Sequence, residues 1–177
     1  MPNWCQNQVT ITGPRPVIDE IKAVLTDPVE DSKLLKWMRP MPEDQQDNWY
    51  DWCVANWGTK WDVTNVFVQD DTEEDAVTFA FDTAWGPPVE AFRYWAEQDG
   101  RVTYRMAFIE EGMMFVGWDS YDGEYFDDDG VNHEDDPGRY WEMAAEEFGI
   151  EREEEPEPLT EWYQDGVKQK GLTPHDI

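Results

Sequence analysis

Two periods of hydrophobic spacing alternate along the first two thirds of the chain. Residues 3–12 end in Gln8-Val9-Thr10-Ile11-Thr12, where apolar side chains recur at every second position, the spacing of a strand with one buried face. Gly13 and Pro14 stop it. Pro16 stands where a first helical turn tolerates the ring, and Val17, Ile18, Ile21, Val24 and Leu25 form one apolar stripe of a helix ending near Thr26. Residues 27–56 break the pattern: Leu34, Leu35 and Trp37 suggest a short element, Pro40 and Pro42 punctuate it, and 48–56 reads as a short helix with an aromatic face. Strand spacing returns at 62–69 through Val63, Val66, Phe67 and Val68, and at 76–83 through Val77, Phe79 and Phe81, with the polar residues 70–74 turning between them as a hairpin. Pro87 and Pro88 open a second helix that carries Val89, Phe92, Tyr94 and Trp95 to about Gln98, and Gly100 ends it. A fourth strand is expected at 101–110 through Val102, Tyr104, Met106 and Phe108, and a fifth at 113–119 after a turn at Glu111 and Gly112.

Strand, helix, strand, strand, helix, strand is the order of an α+β, ferredoxin-like antiparallel sheet with both helices on one face. The reading is a ferredoxin-like domain over 1–120, interrupted by an insertion at 27–56 and extended by a fifth strand, followed by an acidic extension over 121–177. Within that extension, 121–136 reads as an Asp- and Gly-rich loop, 137–148 as a helix, 151–158 as a solvated charge run and 159–167 as a short docked helix. The topology also says which ends meet. The first two strands begin where the third and fourth finish, so residues 3–5, 57–62, 82–85 and 110–112 should gather at one end of the sheet, beside the start of the second helix.

Charge narrows the partners. With 41 acidic and 13 basic residues among 177, the net charge is -28, which argues against direct binding of nucleic acid or an anionic membrane. Such a surface suits a cationic protein, including one that would otherwise hold nucleic acid, and equally suits plain solubility. Eleven Trp, eight Phe and seven Tyr supply a core, so the chain is not a disordered polyanion. No apolar run approaches the ~20 residues of a membrane span, and no signal peptide is evident at the start, so a cytoplasmic location is expected. Cys5 and Cys53 make neither a CxxC nor a zinc pattern and are either two free thiols or one bridge; no metal and no cofactor is expected.

The chemistry-bearing residues concentrate at the end where the strands gather. Trp57-Gly58-Thr59-Lys60-Trp61-Asp62 and Phe81-Asp82-Thr83-Ala84-Trp85-Gly86-Pro87-Pro88 each join a turn residue, a hydroxyl, a charge and indole rings. The candidate binding residues are Trp4, Trp57, Lys60, Trp61, Asp62, Asp82, Trp85 and Glu110. Read structurally, Lys60 pairs with Asp62, Asp82 or Glu110 and pins the sheet end, while the indoles cap a core. Read functionally, the indoles stack on a planar ligand while Lys60 meets an anion. Nothing names a nucleophile or an activated water, and no P-loop, dinucleotide fingerprint, HExxH or nucleophile elbow is present, so an enzyme is not expected. Residues 127–136 fit a calcium loop poorly, since Tyr125 falls where the first carboxylate belongs.

Five segments carry a family resemblance: Pro2-Asn3-Trp4-Cys5-Gln6-Asn7, Pro40-Met41-Pro42-Glu43, the two motifs above, and Glu110-Glu111-Gly112-Met113-Met114-Phe115-Val116-Gly117. In this order the chain resembles the YubB-type ferredoxin-like domain family of phages, plasmids and genomic islands. The resemblance implies the fold and a mobile-element setting, and carries over no catalytic residue; two cysteines also fall short of the four thiolates an iron–sulfur cluster takes. The functional expectation is a small acidic accessory protein of a phage or other mobile element that binds and modulates a host protein, with anti-defence inhibition as its concrete form. The alternative is a binder of a small ligand, a nucleotide or related signal, at the aromatic sheet end.

Overall fold

Strand β1 (Trp4–Thr12) lies inside the sheet and buries every second side chain, Cys5, Asn7, Val9 and Ile11, as its alternation predicts. The computed structural model describes residues 3–26, 33–69 and 73–150. Around β1 the sheet has six strands in the order β2-β3-β1-β4-β5-β6, and every pairing is antiparallel. The first four, β1 with β2 (Thr64–Val68), β3 (Ala76–Ala84) and β4 (Thr103–Glu110), form the ferredoxin-like unit. Strands β5 (Phe115–Tyr121) and β6 (Phe126–Asn132) continue it beyond β4.

Helices α1 (Arg15–Leu25) and α4 (Val89–Asp99) are the crossovers, and they cover one face together with α2 (Leu34–Met38) and α3 (Trp49–Trp57). Val9, Ile11, Phe79, Phe81 and Met106 from the strands meet Ile18, Ile21, Leu34, Leu35, Trp57 and Phe92 from the helices in the main core. Ile109 and Val116 point to the other face, where α5 (Pro137–Phe148) covers them with Tyr140, Met143 and Ala144.

One expectation is corrected. Residues 121–136 were expected as a loop, yet 126–132 form the edge strand β6, registered on β5 from Tyr121 opposite Phe126 to Phe115 opposite Asn132. Its acidic composition conceals it, because only Phe126 and Val131 are large and apolar. The hairpin is set by Asp122, whose carboxylate accepts from the backbone N–H of Glu124 (2.9 Å) and Tyr125 (2.7 Å), with Gly123 in the left-handed region at φ 101. Aspartates on an exposed edge also discourage pairing with another strand. Asp127, Asp128 and Asp129 therefore alternate across a strand and do not wrap a cation: Asp128 accepts from Arg93, Asp129 from Arg139, and Asp136 caps α5. Among the described residues, no three metal-binding side chains gather. The charge run at 151–158 and the helix expected at 159–167 lie outside the described residues.

A polar network absent from the sequence reading ties α4 to the added strands. Asp119, 1% exposed, accepts from Arg93 Nε (2.8 Å) and from the Tyr104 hydroxyl (2.5 Å), while Arg93 also reaches Asp128 at 2.7 Å. Burial pushes the Asp119 carboxyl above its usual range against the pull of those donors, and raises the Tyr104 phenol as well.

Candidate functional site

Four stretches converge at one end of the sheet, and small residues explain how closely. Gly58 ends α3 in the left-handed region at φ 86, and a Cβ there would stand 2.7 Å from the Pro87 carbonyl oxygen, so only glycine lets the two motif loops touch. Thr59 fastens them from the side: its hydroxyl donates to the Ala84 carbonyl (2.9 Å) and accepts from the Ala84 N–H (3.1 Å). The Thr83 hydroxyl donates to the Gly86 carbonyl (2.8 Å) and accepts from Asn7 Nδ2 (2.8 Å), which holds the second loop to β1. Trp57 is 2% exposed, edge-on to Trp52, and donates Nε1–H to the Arg39 carbonyl at 2.9 Å. Asp62 accepts from the N–H groups of Leu35 (2.9 Å), Val63 (2.9 Å) and Lys36 (3.1 Å), and so holds the start of α2. Burial is the largest influence on its carboxyl and pushes it upward.

Once the motif's Trp57, Gly58, Thr59 and Asp62 are spent on structure, Lys60 and Trp61 remain. The Lys60 ammonium lies 4.8 Å from the ring centre of Trp61, 4.9 Å from Trp85 and 5.7 Å from Tyr50, a cation on three aromatic faces. Outward from it the rings continue, with Trp4 at 6.3 Å from Trp61, and Trp49 at 5.9 Å from Tyr50. Trp4, Trp49, Tyr50 and Trp85 are 41, 44, 40 and 38% exposed, whereas Lys60 and Trp61 are half-buried. Trp85 sits in the left-handed region at φ 71, its N–H donating to the Asn3 carbonyl at 2.9 Å. For a bulky side chain this conformation is strained, and such strain persists only where surrounding structure imposes it.

Of the candidate residues, Trp4, Lys60, Trp61 and Trp85 are thus brought together, and Trp57 lies at the same end but in the core. The expected cluster of carboxylates around Lys60 does not form. Asp62 serves α2, Asp82 accepts from Asn65 Nδ2 (2.7 Å), and Glu110, 1% exposed, accepts from the N–H groups of Gly112 (3.0 Å) and Met113. Each turn leaves backbone donors that need acceptors, and a neighbouring carboxylate serves them without an accompanying buried cation. Among the described residues, none pairs with Lys60. Trp49 and Tyr50 were missed as site residues; the aromatic face read at 48–56 was the signal, but which way it turns depends on the Gly58 contact.

Cys5 and Cys53 are both buried, free thiols. Burial pushes Cys5 up to about 12 and Cys53 upward too, so neither is a reactive thiolate. Among the described residues, no helix is long and apolar enough to cross a membrane.

Comparison with known proteins agrees with this architecture. No curated protein matches the chain. The crystal structure of a protein api92 from Yersinia pseudotuberculosis superposes with a TM-score of 0.51 at 12% identity, covering 75% of this chain and 99% of that one, a likeness of fold. Residues 53–155 match the family described as the ferredoxin-like domain in Api92-like protein. With more than half of its 177 residues inside that match, and with the sheet order described above, the chain belongs to this family of ferredoxin-like domains.

Proposed function

We propose that this protein is an interaction module: an accessory factor that binds and modulates a basic host protein through the aromatic end of its sheet. The observation that carries the reading is the run of exposed rings Trp4, Trp49, Tyr50 and Trp85, joined through Lys60 and Trp61. Solvent-facing apolar rings in one patch are uncommon on a protein with no partner, and Trp and Tyr dominate the energetics of protein interfaces. Lys60 lies against the rings, which favours a docking face over a pocket that offers the ammonium to a nucleotide. The carboxylates that acid–base chemistry would need are committed to backbone N–H groups and Asn65. A net charge of -28 selects a basic partner. The resemblance to YubB-type domains supports a phage or other mobile-element setting, and within it the modulation is inhibition of a host defence.

The test is capture from host lysate at two salt concentrations with mass spectrometry, using wild type, Trp85→Ala and Phe67→Ala. Phe67, 67% exposed on β2, controls for removing an exposed ring elsewhere. Capture that Trp85→Ala abolishes and Phe67→Ala retains supports the docking face. Capture equal in all three, fading only with salt, rejects it in favour of charge alone.

A further inference from the structure

We infer that the space between Tyr50, Trp61 and Trp85 is a cation seat for an arginine side chain of the basic partner, and that Lys60 is its intramolecular placeholder. The inference rests on the docking face proposed above and names what that face recognises.

Three features carry it. The seat already holds a cation: one ammonium lies within 6 Å of three ring centres, at 4.8, 4.9 and 5.7 Å. The walls stand without that occupant, because Thr59 is bonded to Ala84, Gly58 packs on Pro87, and the Trp85 N–H is bonded to Asn3. The occupant, in contrast, is loosely kept. Among the described residues Lys60 has no ion pair, so the rings hold it, and its four-carbon stem can carry the ammonium out to water.

The exchange has a direction. An ammonium is compact and strongly hydrated, and gives up much of that hydration against an aromatic face. A guanidinium is planar and more weakly hydrated, and it stacks on indole, so the same rings hold it better. Moving Lys60 outward also restores its water, while the long-range field of a chain with net charge -28 raises the local concentration of basic ligands.

The experiment titrates acetylated, amidated tri-arginine and tri-lysine peptides, equal in charge, into the full chain in 0.5 M salt, which screens long-range attraction. Indole N–H resonances of Trp61 and Trp85 report occupancy, and thermal melting verifies each variant's fold. Tri-arginine should bind at least about threefold more tightly than tri-lysine. Lys60→Ala vacates the seat and should tighten tri-arginine by about twofold to fivefold. Trp85→Ala should weaken it at least about fivefold; if that variant melts early, Tyr50→Ala on the exposed side of α3 takes its place. Equal affinity for the two peptides, weaker binding by Lys60→Ala, or no loss in the ring variants overturns the seat. If tri-arginine fails while capture of the partner still depends on Trp85, the seat is wrong and the docking face stands. If tri-arginine binds as expected while capture ignores Trp85, the seat is a ligand site and the docking face is wrong.

Discussion

Replacing Asp119 by alanine should unfold this protein more readily than any single surface change, because of what the carboxylate leaves behind. It is 1% exposed, and Arg93 and the Tyr104 hydroxyl both donate to it. Removing one partner of a buried pair typically costs 3–5 kcal/mol, and a buried hydroxyl without an acceptor about 1–3 kcal/mol. Arg93 softens the loss, since its side chain is 32% exposed and retains Asp128 at 2.7 Å. The net expectation is about 3 kcal/mol, or a fall in Tm of about 6–12 °C for a domain of this size. Tyr104→Phe should cost less, about 1–2 kcal/mol, by leaving one carboxylate oxygen short of a donor. Urea unfolding of Asp119→Ala, Arg93→Met and the double variant checks the mechanism, because a shared interaction makes the double variant cheaper than the sum by about 1–2 kcal/mol. Asp119→Ala within about 0.5 kcal/mol of wild type, or strictly additive losses, would refute the claim that this network fixes α4 to β5 and β6.

Gly58→Ala should cost about 2 kcal/mol or more, from a left-handed φ of 86 and a Cβ 2.7 Å from the Pro87 oxygen, and should shift the Trp85 indole resonance; Gly86→Ala, whose nearest contact is 3.4 Å, is the milder control. Asp62→Ala should cost about 1–2 kcal/mol in urea unfolding by stripping the acceptor from three backbone N–H groups, and hydrogen exchange should rise at Leu35 and Lys36. Stability should rise as pH falls toward the ordinary carboxylate range. Burial raises the folded-state values of Asp62 and Asp119, so the folded chain binds more protons than the unfolded one between the ordinary carboxylate value and the raised one, and stability is lost as pH climbs through that window. Asp99 and Asp129 are held low by Arg101 and Arg139, so their contribution disappears only as pH falls below about 4. Melting curves across pH for wild type and Asp119→Asn test this, and a profile the variant does not flatten would count against it.

The sequence by itself determined the ferredoxin-like unit and the end of it worth watching. Alternation at Val9 and Ile11 and at Val77, Phe79 and Phe81, set against helical spacing from Val17 to Leu25, reports which side chains share a face, and connection rules then say which strand ends meet. What the pattern could not report is who stands beside whom across the fold. Trp57 and Trp85 read alike, yet one caps the core at 2% exposure and the other faces water at 38%. Asp62, Asp82 and Glu110 looked like partners for Lys60, but backbone donors exposed by local turns and the Asn65 amide claimed them. Trp49 and Tyr50 joined the site because the Gly58–Pro87 approach sets α3 against the second motif loop. Strand β6 formed because β5 offered an unpaired edge, which its acidic composition does not reveal. Periodicity is local information, whereas hydrogen-bond satisfaction and ring contacts depend on donors and surfaces supplied by segments distant in sequence, so those assignments were made only when the chain closed.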